Sequence, residues 1–329
     1  MGRVVLAFDK FRGTATNAEL NAAAARSAER AGWEPVPVPM ADGGEGSLAA
    51  VGGANKTTTV ADPLGEPIDA GWRMEGTVAF VEMAAASGLL VAGGAEGNDA
   101  VNADTTGTGQ LIATAIELGA RTVHVFLGGS ATTDGGWGAV QALPPAARMK
   151  EIDLVVATDV LTLFTDAARV FGPQKGATGA QVAFLERRLQ RLVQLYEENY
   201  GVDVSTMPGA GAAGGLAGGL AAVGGRIESG FDVIADWVRL DEHLEEADLV
   251  ITGEGFLDAE SFNGKVVGGV VDWAEELGVP VLAVVGAMDE LTPPPGLEVV
   301  ALASRFGLDR AMAEPQALVE EVVAERLGR

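Results

Sequence analysis

The sequence predicts an α/β fold, a mainly parallel sheet covered by helices. Short β-type runs recur along the chain, helical patterns stand between several of them, and glycine-rich polar loops follow the runs. Alternation of this kind is the mark of βαβ units. The β-type runs fall at 4–8, 57–60, 78–81, 123–127, 154–157, 248–251 and 279–285. The helical patterns fall at 18–31, 109–118, 181–200, 266–277 and 317–327. In the pattern at 181–200, Val182, Leu185, Leu189, Leu192, Val193 and Tyr196 share one face, which is expected to cover a core. The 329 residues suffice for one large domain or two ordinary ones. No linker cleanly divides them, so a boundary between two domains is expected to be crossed more than once.

Composition narrows the chemistry. Cysteine is absent, which excludes disulfides, thiolate metal sites and a cysteine nucleophile. Only His124 and His243 are present, too few for a histidine-rich metal centre, and neither has the partners of a Ser-His-Asp triad. His124 lies inside a β-run and reads as a packed histidine. The formal net charge of −24 opposes attraction to nucleic acid or an anionic membrane. An anionic substrate would therefore need a local positive pocket, which singles out the five lysines, Lys10, Lys56, Lys150, Lys175 and Lys265. The N-terminus does not read as a signal peptide, and the apolar stretch 209–225 is too rich in glycine for a membrane helix. A cytoplasmic location is expected.

Four loops stand where open α/β sheets bind ligands, after the carboxyl ends of strands. Asp9-Lys10-Phe11-Arg12-Gly13 follows the opening run and offers one carboxylate and two cations. Met40 to Gly46 carries three glycines, with Asp42 and Glu45 able to hold Mg²⁺ or accept a hydroxyl proton. Gly128 to Gly136 combines four glycines with Ser130, Thr132 and Thr133, a pattern that suits an anion cradle of backbone N–H groups. Thr252 to Asp258 places Glu254 and Asp258 after a strand, with Lys265 at the next helix start, as a metal–phosphate complex requires. Lys175 sits in a glycine-proline turn, and Asp159 ends the run at 154–157.

Gly209 to Gly214 matches G-x-G-x-x-G but lacks a strand before it, so a nicotinamide site is disfavoured and close helix packing through glycine is expected. The P-loop pattern is absent.

In order, these segments resemble the bacterial glycerate kinase family, in its glycerate 2-kinase class. The resemblance is carried by Asp9 to Gly13, MADGGEG at 40–46, Asp62 to Gly65, EMAAASGL at 82–89, Gly107 to Gly109 and GGSATTDGG at 128–136. It continues through Asp159-Val160, FGPQKGAT at 171–178, PGAGAAGGL at 208–216, and 251–255 with Asp258, Ser261, Gly264 and Lys265. The sequence departs from the family's habit at Arg12 (commonly Lys), Thr133 (Asn), Glu260 (Gln) and the residues after Val160. A stretch usual between Leu143 and Ile152 is reduced to 144–151, which leaves acceptor preference open.

The resemblance implies an enzyme dependent on ATP and Mg²⁺ that phosphorylates D-glycerate to 2-phosphoglycerate, with no nucleic-acid or membrane partner. It also implies two α/β domains with a cleft between them, one flavodoxin-like and one discontinuous in sequence, drawn as 1–61 with 245–329, and 62–244. Lys10 and Arg12 are assigned to the glycerate carboxylate or the transferred phosphoryl, with Asp9, Ser87 and Lys265 as further substrate contacts. Gly128, Gly129, Ser130 and Thr133 would hold phosphate, and Glu254 with Asp258, or Asp42 with Glu45, would hold Mg²⁺. Asp42 is the expected base with Asp159 its competitor, and Lys175 is expected in the catalytic group. A kinase acting on the 3-hydroxyl or on a related hydroxy or sugar acid is the nearest alternative; a non-catalytic metabolite-binding protein is the next, and a dehydrogenase the third.

Overall fold

A computed structural model describes residues 1–328. Its strands are β1 (Arg3–Phe8), β2 (Glu34–Pro37), β3 (Lys56–Ala61), β4 (Pro67–Glu75), β5 (Val78–Glu82), β6 (Thr122–Phe126) and β7 (Asp153–Thr158). They continue with β8 (Arg226–Ser229), β9 (Leu249–Gly253), β10 (Phe256–Leu257), β11 (Val281–Val285), β12 (Ala287–Met288) and β13 (Leu297–Ala301). The chain divides into two compact units, 1–42 with 230–329 and 43–229. The expected borders at 61 and 245 are therefore corrected. β3 pairs along its length with β4 in the second unit's sheet, and β8 closes that sheet's other edge.

In the first unit five parallel strands run in the order β13-β11-β9-β1-β2. Numbered within the unit, this is the flavodoxin-like order 2-1-3-4-5. β1 is apolar and buried from Val4 to Phe8, as a strand covered on both faces must be. Helix Asn17–Arg30 begins at a capping box in which Thr16 and Glu19 satisfy each other's backbone amides. It buries Leu20, Ala24 and Ala28 in one core with Val4, Leu6, Phe8 and helix Pro315–Leu327.

In the second unit six strands run in the order β3-β4-β5-β6-β7-β8, antiparallel across the first three and parallel thereafter. β4 lies outside the expected runs because its apolar positions alternate with polar ones; Ala70 and Trp72 are buried, whereas Asp69 is exposed and Gly71 and Arg73 are half-buried. Helix Gly179–Tyr200 buries Leu185, Leu189, Leu192 and Tyr196, the core of the expected face. His124 stacks on Phe80 at 4.9 Å, and burial pushes its imidazole down to about 4, so it is a packed neutral histidine.

The stretch 209–214 is preceded by turns, not by a strand. At Ala213, Gly214 and Gly215 the backbone is left-handed. A Cβ on Gly214 would lie 1.9 Å from the Thr132 carbonyl oxygen, and one on Gly219 2.6 Å from that of Gly135. These glycines let the segment press backbone to backbone against loop 128–136.

Gly214→Ala is expected to lower the second unit's stability by more than about 2 kcal/mol, since it adds a clash to an unfavourable φ. Gly224→Ala, with φ +104 but open space around it, should cost about 1 kcal/mol. Urea denaturation midpoints compare the two; equal losses would contradict the packing role.

Candidate active site

In the first unit the direction of strand addition reverses between β1 and β9, the position at which open sheets take ligands beyond the strands' carboxyl ends. Asp9 follows β1 there and Glu254 follows β9. The tips are tied by the Asp9 amide, which donates to the Gly253 carbonyl at 2.9 Å. Lys10 Nζ stands 3.8 Å from a carboxylate oxygen of Asp9 and 3.8 Å from one of Asp42. The segment before Asp42 is pinned by Asn17, whose side-chain amide donates to the Met40 carbonyl at 2.8 Å. Asp9, Lys10, Asp42 and Glu254 thus belong to one end of one sheet.

Burial pushes the Glu254 carboxyl up to about 7; Ser261 and Lys265 pull it down, and the Asp9 and Asp258 carboxylates push it further up. Its Oε1 is buried and accepts no hydrogen bond among the described residues. One Asp258 oxygen is committed to local structure, accepting from the Glu260 and Ser261 amides at 2.9 and 3.0 Å as the cap of the 3-10 turn Ala259–Phe262. Lys265 lies 3.9 Å from Glu260. Arg12 stays exposed in the turn closed by the Phe11–Ala15 bridge and makes no ion pair among the described residues. Among these residues no group of three or more acids and histidines could hold a metal by itself. An orphaned buried carboxylate oxygen does fit a divalent cation that takes its other ligands from phosphate.

In the second unit the loop after β6 carries the expected anion site. The amides of Gly128, Gly129 and Ser130 donate to no acceptor among the described residues, and Gly129 is exposed with φ +64. The loop is held from behind on three sides. An isolated bridge joins Gly88 to Ser130, with the Leu89 amide donating to the Gly129 carbonyl at 2.7 Å and the Ala131 amide to that of Ser87 at 3.0 Å. Lys175, 2% exposed, donates to Ser130 Oγ at 2.7 Å and to the Thr132 carbonyl at 2.6 Å. Asp134 accepts from the Thr105 amide and hydroxyl and from the Gly136 and Gly138 amides at 2.8–3.1 Å. Burial pushes the Lys175 amine down to about 7, against the opposing pull of Asp134.

Loop 40–46 meets this loop through Gly44 and Glu45. A Cβ on Gly128 would lie 2.6 Å from the Gly44 Cα, and one on Gly129 3.6 Å from a Glu45 carboxylate oxygen. Thr133 is fully buried; its carbonyl accepts from Arg188 at 2.5 Å, and its hydroxyl has no partner among the described residues. Asp159 is half-buried at the tip of β7. Ser87 is fully buried, with its hydroxyl accepting from Thr108 at 2.9 Å. The shortened segment 144–151 lies at the amino end of β7, where Arg148 donates to the Ile116 carbonyl, away from the strand ends that carry these loops.

Three organising residues, two of them inside the motifs quoted above, have roles that the sequence did not assign. Glu82, at the end of β5, accepts from the Gly46 and Leu48 amides at 3.0–3.2 Å and so holds loop 40–46. Its signal was an acid directly after a β-run. Asp134 and Thr105 carried no comparable signal, since their pairing spans 29 residues of sequence.

A sequence model of the glycerate kinase family matches residues 4–146 and 144–328, in two pieces that meet at the shortened segment. Glycerate 2-kinase of Escherichia coli strain K12 is 38% identical over 293 residues, covering 78% of this chain and 77% of its own. A glycerate kinase of Halalkalibacterium halodurans is 34% identical, covering 98% of this chain and 96% of its own. The crystal structure of a protein assigned as glycerate kinase 2 from Salmonella typhimurium LT2 superposes with a TM-score of 0.79 at 30% identity, over 99% of this chain and 98% of that one. Fold and sequence together define a mixed α/β kinase with a small-molecule acceptor. The chain belongs to the glycerate kinase family. No helix among the described residues is long and apolar enough to cross a membrane.

The Glu254 carboxyl keeps its proton up to about 7 when folded and releases it near 4.5 when unfolded. The folded state therefore binds more protons between those values, and stability falls as pH rises through them. Glu254→Gln should match the parent below about pH 4.5 and exceed it by about 3 kcal/mol at pH 8. Urea denaturation in buffer with a chelator measures this; a difference that does not grow with pH would contradict it.

Proposed function

We propose that the chain transfers the γ-phosphoryl group of ATP, taken as its Mg²⁺ complex, to the 2-hydroxyl of D-glycerate, yielding 2-phosphoglycerate and ADP. The observation that carries this reading is loop 128–130, exposed at Gly129, with three uncommitted amides backed by a buried lysine, in a molecule of net charge −24. Such a loop offers a phosphate directed N–H groups without adding surface cations. The E. coli relative's name supports the 2-hydroxyl.

In this reading Gly128, Gly129 and Ser130 hold phosphate oxygens. Thr133, whose hydroxyl is buried, shapes the loop from within. Glu254, with the remaining oxygen of Asp258, would hold Mg²⁺, which would supply positive charge to offset that of the phosphate chain. Asp9 faces the same end of the sheet. Lys10 and Arg12 take the glycerate carboxylate; Lys10 is already steered by Asp9 and Asp42. Lys265 adds positive charge beside Glu254. Asp42 orients the acceptor hydroxyl. The hydroxyl oxygen bonds to the γ-phosphorus, the bond to the β–γ bridging oxygen breaks, and the hydroxyl proton passes to Asp42 late in the transfer. The chain's own amides and side chains supply positioning and charge compensation, which is most of phosphoryl-transfer catalysis. Because segment 144–151 lies at the amino end of β7, its shortening gives no ground for a different acceptor.

ATP and D-glycerate, with the product position read by phosphorus NMR, test the reaction. A 3-phosphoglycerate signal, or none, would overturn the stated regiochemistry or activity. Asp42→Asn should lower kcat by about 10²–10⁴-fold with unchanged thermal stability, whereas Asp159→Asn should stay within about tenfold. The reverse ranking would transfer the role of base to Asp159.

A further inference from the structure

Lys175 presents an unfinished charge. It is 2% exposed, and its amine reaches only neutral oxygens, the Ser130 hydroxyl and the Thr132 carbonyl. A buried ammonium without an anion is costly, so such a group sheds its proton until an anion arrives. The surroundings do not supply one. Its own turn, Pro173–Lys175, holds no other charge. Helix Gly94–Gly97 brings only Glu96, which is exposed. Helix Ala167–Phe171 brings Arg169, paired with Asp166. Arg188, from helix Gly179–Tyr200, is a cation engaged with the Val101 and Thr133 carbonyls. Asp134 is the one carboxylate that acts on Lys175, and its oxygens already accept four hydrogen bonds.

The 2.7 Å contact between Lys175 Nζ and Ser130 Oγ can run either way in a neutral amine, which can donate to Thr132 and still accept from the Ser130 hydroxyl. An ammonium donates to both, which turns the Ser130 hydroxyl proton outward. The uncommitted amides of Gly128 and Gly129 belong to the same loop.

We infer that Lys175 is a positioning residue that takes up a proton when a phosphoryl anion docks on loop 128–130, and that it acts on that anion through the Ser130 hydroxyl. The inference rests on the phosphate-binding role proposed above for the loop. The anion supplies the missing counter-charge, the ammonium forms, and Ser130 becomes a donor aligned on the ligand. The loop therefore binds polyanions more tightly as pH falls toward neutrality, and nucleotide affinity and proton uptake are reciprocally linked.

Only five lysines are present, so the side-chain nitrogens of ¹⁵N-lysine-labelled protein can be followed individually, with Lys175→Arg identifying the resonance. The probe is pyrophosphate, which requires no turnover and so separates this test from that of the kinase reaction. In the free wild-type protein one lysine should titrate near 7. Saturating pyrophosphate should move that midpoint up by at least about one pH unit. Calorimetry at pH 7.5 in buffers of different ionisation enthalpy should read roughly one-half to three-quarters of a proton taken up per site, depending on how far the midpoint rises. Ser130→Ala should keep the free titration but weaken pyrophosphate binding about tenfold. An ordinary lysine midpoint in the free protein, a midpoint unmoved by pyrophosphate, or no pyrophosphate binding at the loop would each overturn the inference.

Discussion

Backbone lying directly on backbone is the constraint on which the second unit's site depends. Loop 128–136 is approached by loop 40–46 at Gly128 and by the 212–222 segment at Gly135 and Gly136, with glycine at each near contact. A side chain at Gly128, Gly214 or Gly219 would intrude within 2.6 Å of main-chain atoms. With their flanks fixed, the amides at 128–130 need no side chains to aim them. Preorganised amides of this kind offer partial positive charge at no reorganisation cost, which suits a protein whose net charge repels its own substrates.

The same economy governs the ionisable groups. Glu254 in the first unit is pushed up and Lys175 in the second is pushed down, each by burial and each to about 7. Both shifts favour the neutral form in the absence of ligand. A cation beside Glu254 and an anion beside Ser130 would each restore a charge. Two residues of opposite sign, one in each unit, thus follow one rule, that a buried group waits for its partner in the form that costs least.

Much of this was legible in the sequence because it is local. The apolar run of β1, the amphipathic face of helix Gly179–Tyr200 and the strand-end loops each announce themselves within a few positions. The order of loops also carried the family resemblance. What stayed hidden is non-local. Nothing near Asp134 signals that it bonds Thr105, and nothing near Ser87 signals that it lies beneath loop 128–131 with Thr108 on its hydroxyl. The unit borders moved to 42 and 229 because β3 finds its partner in β4, a strand whose alternating polarity masks it. Positions 209–214 match a nucleotide-binding pattern by spelling alone; in space they are packing glycines.

The central claim is that main-chain amides of loop 128–130 receive the phosphates. The most direct test is a crystal structure with Mg²⁺ and a non-hydrolysable ATP analogue bound. The account predicts phosphate oxygens within about 3 Å of the Gly128, Gly129 or Ser130 nitrogens. A phosphate chain seated on residues 209–214, or one held by surface side chains with those amides facing solvent, would contradict it.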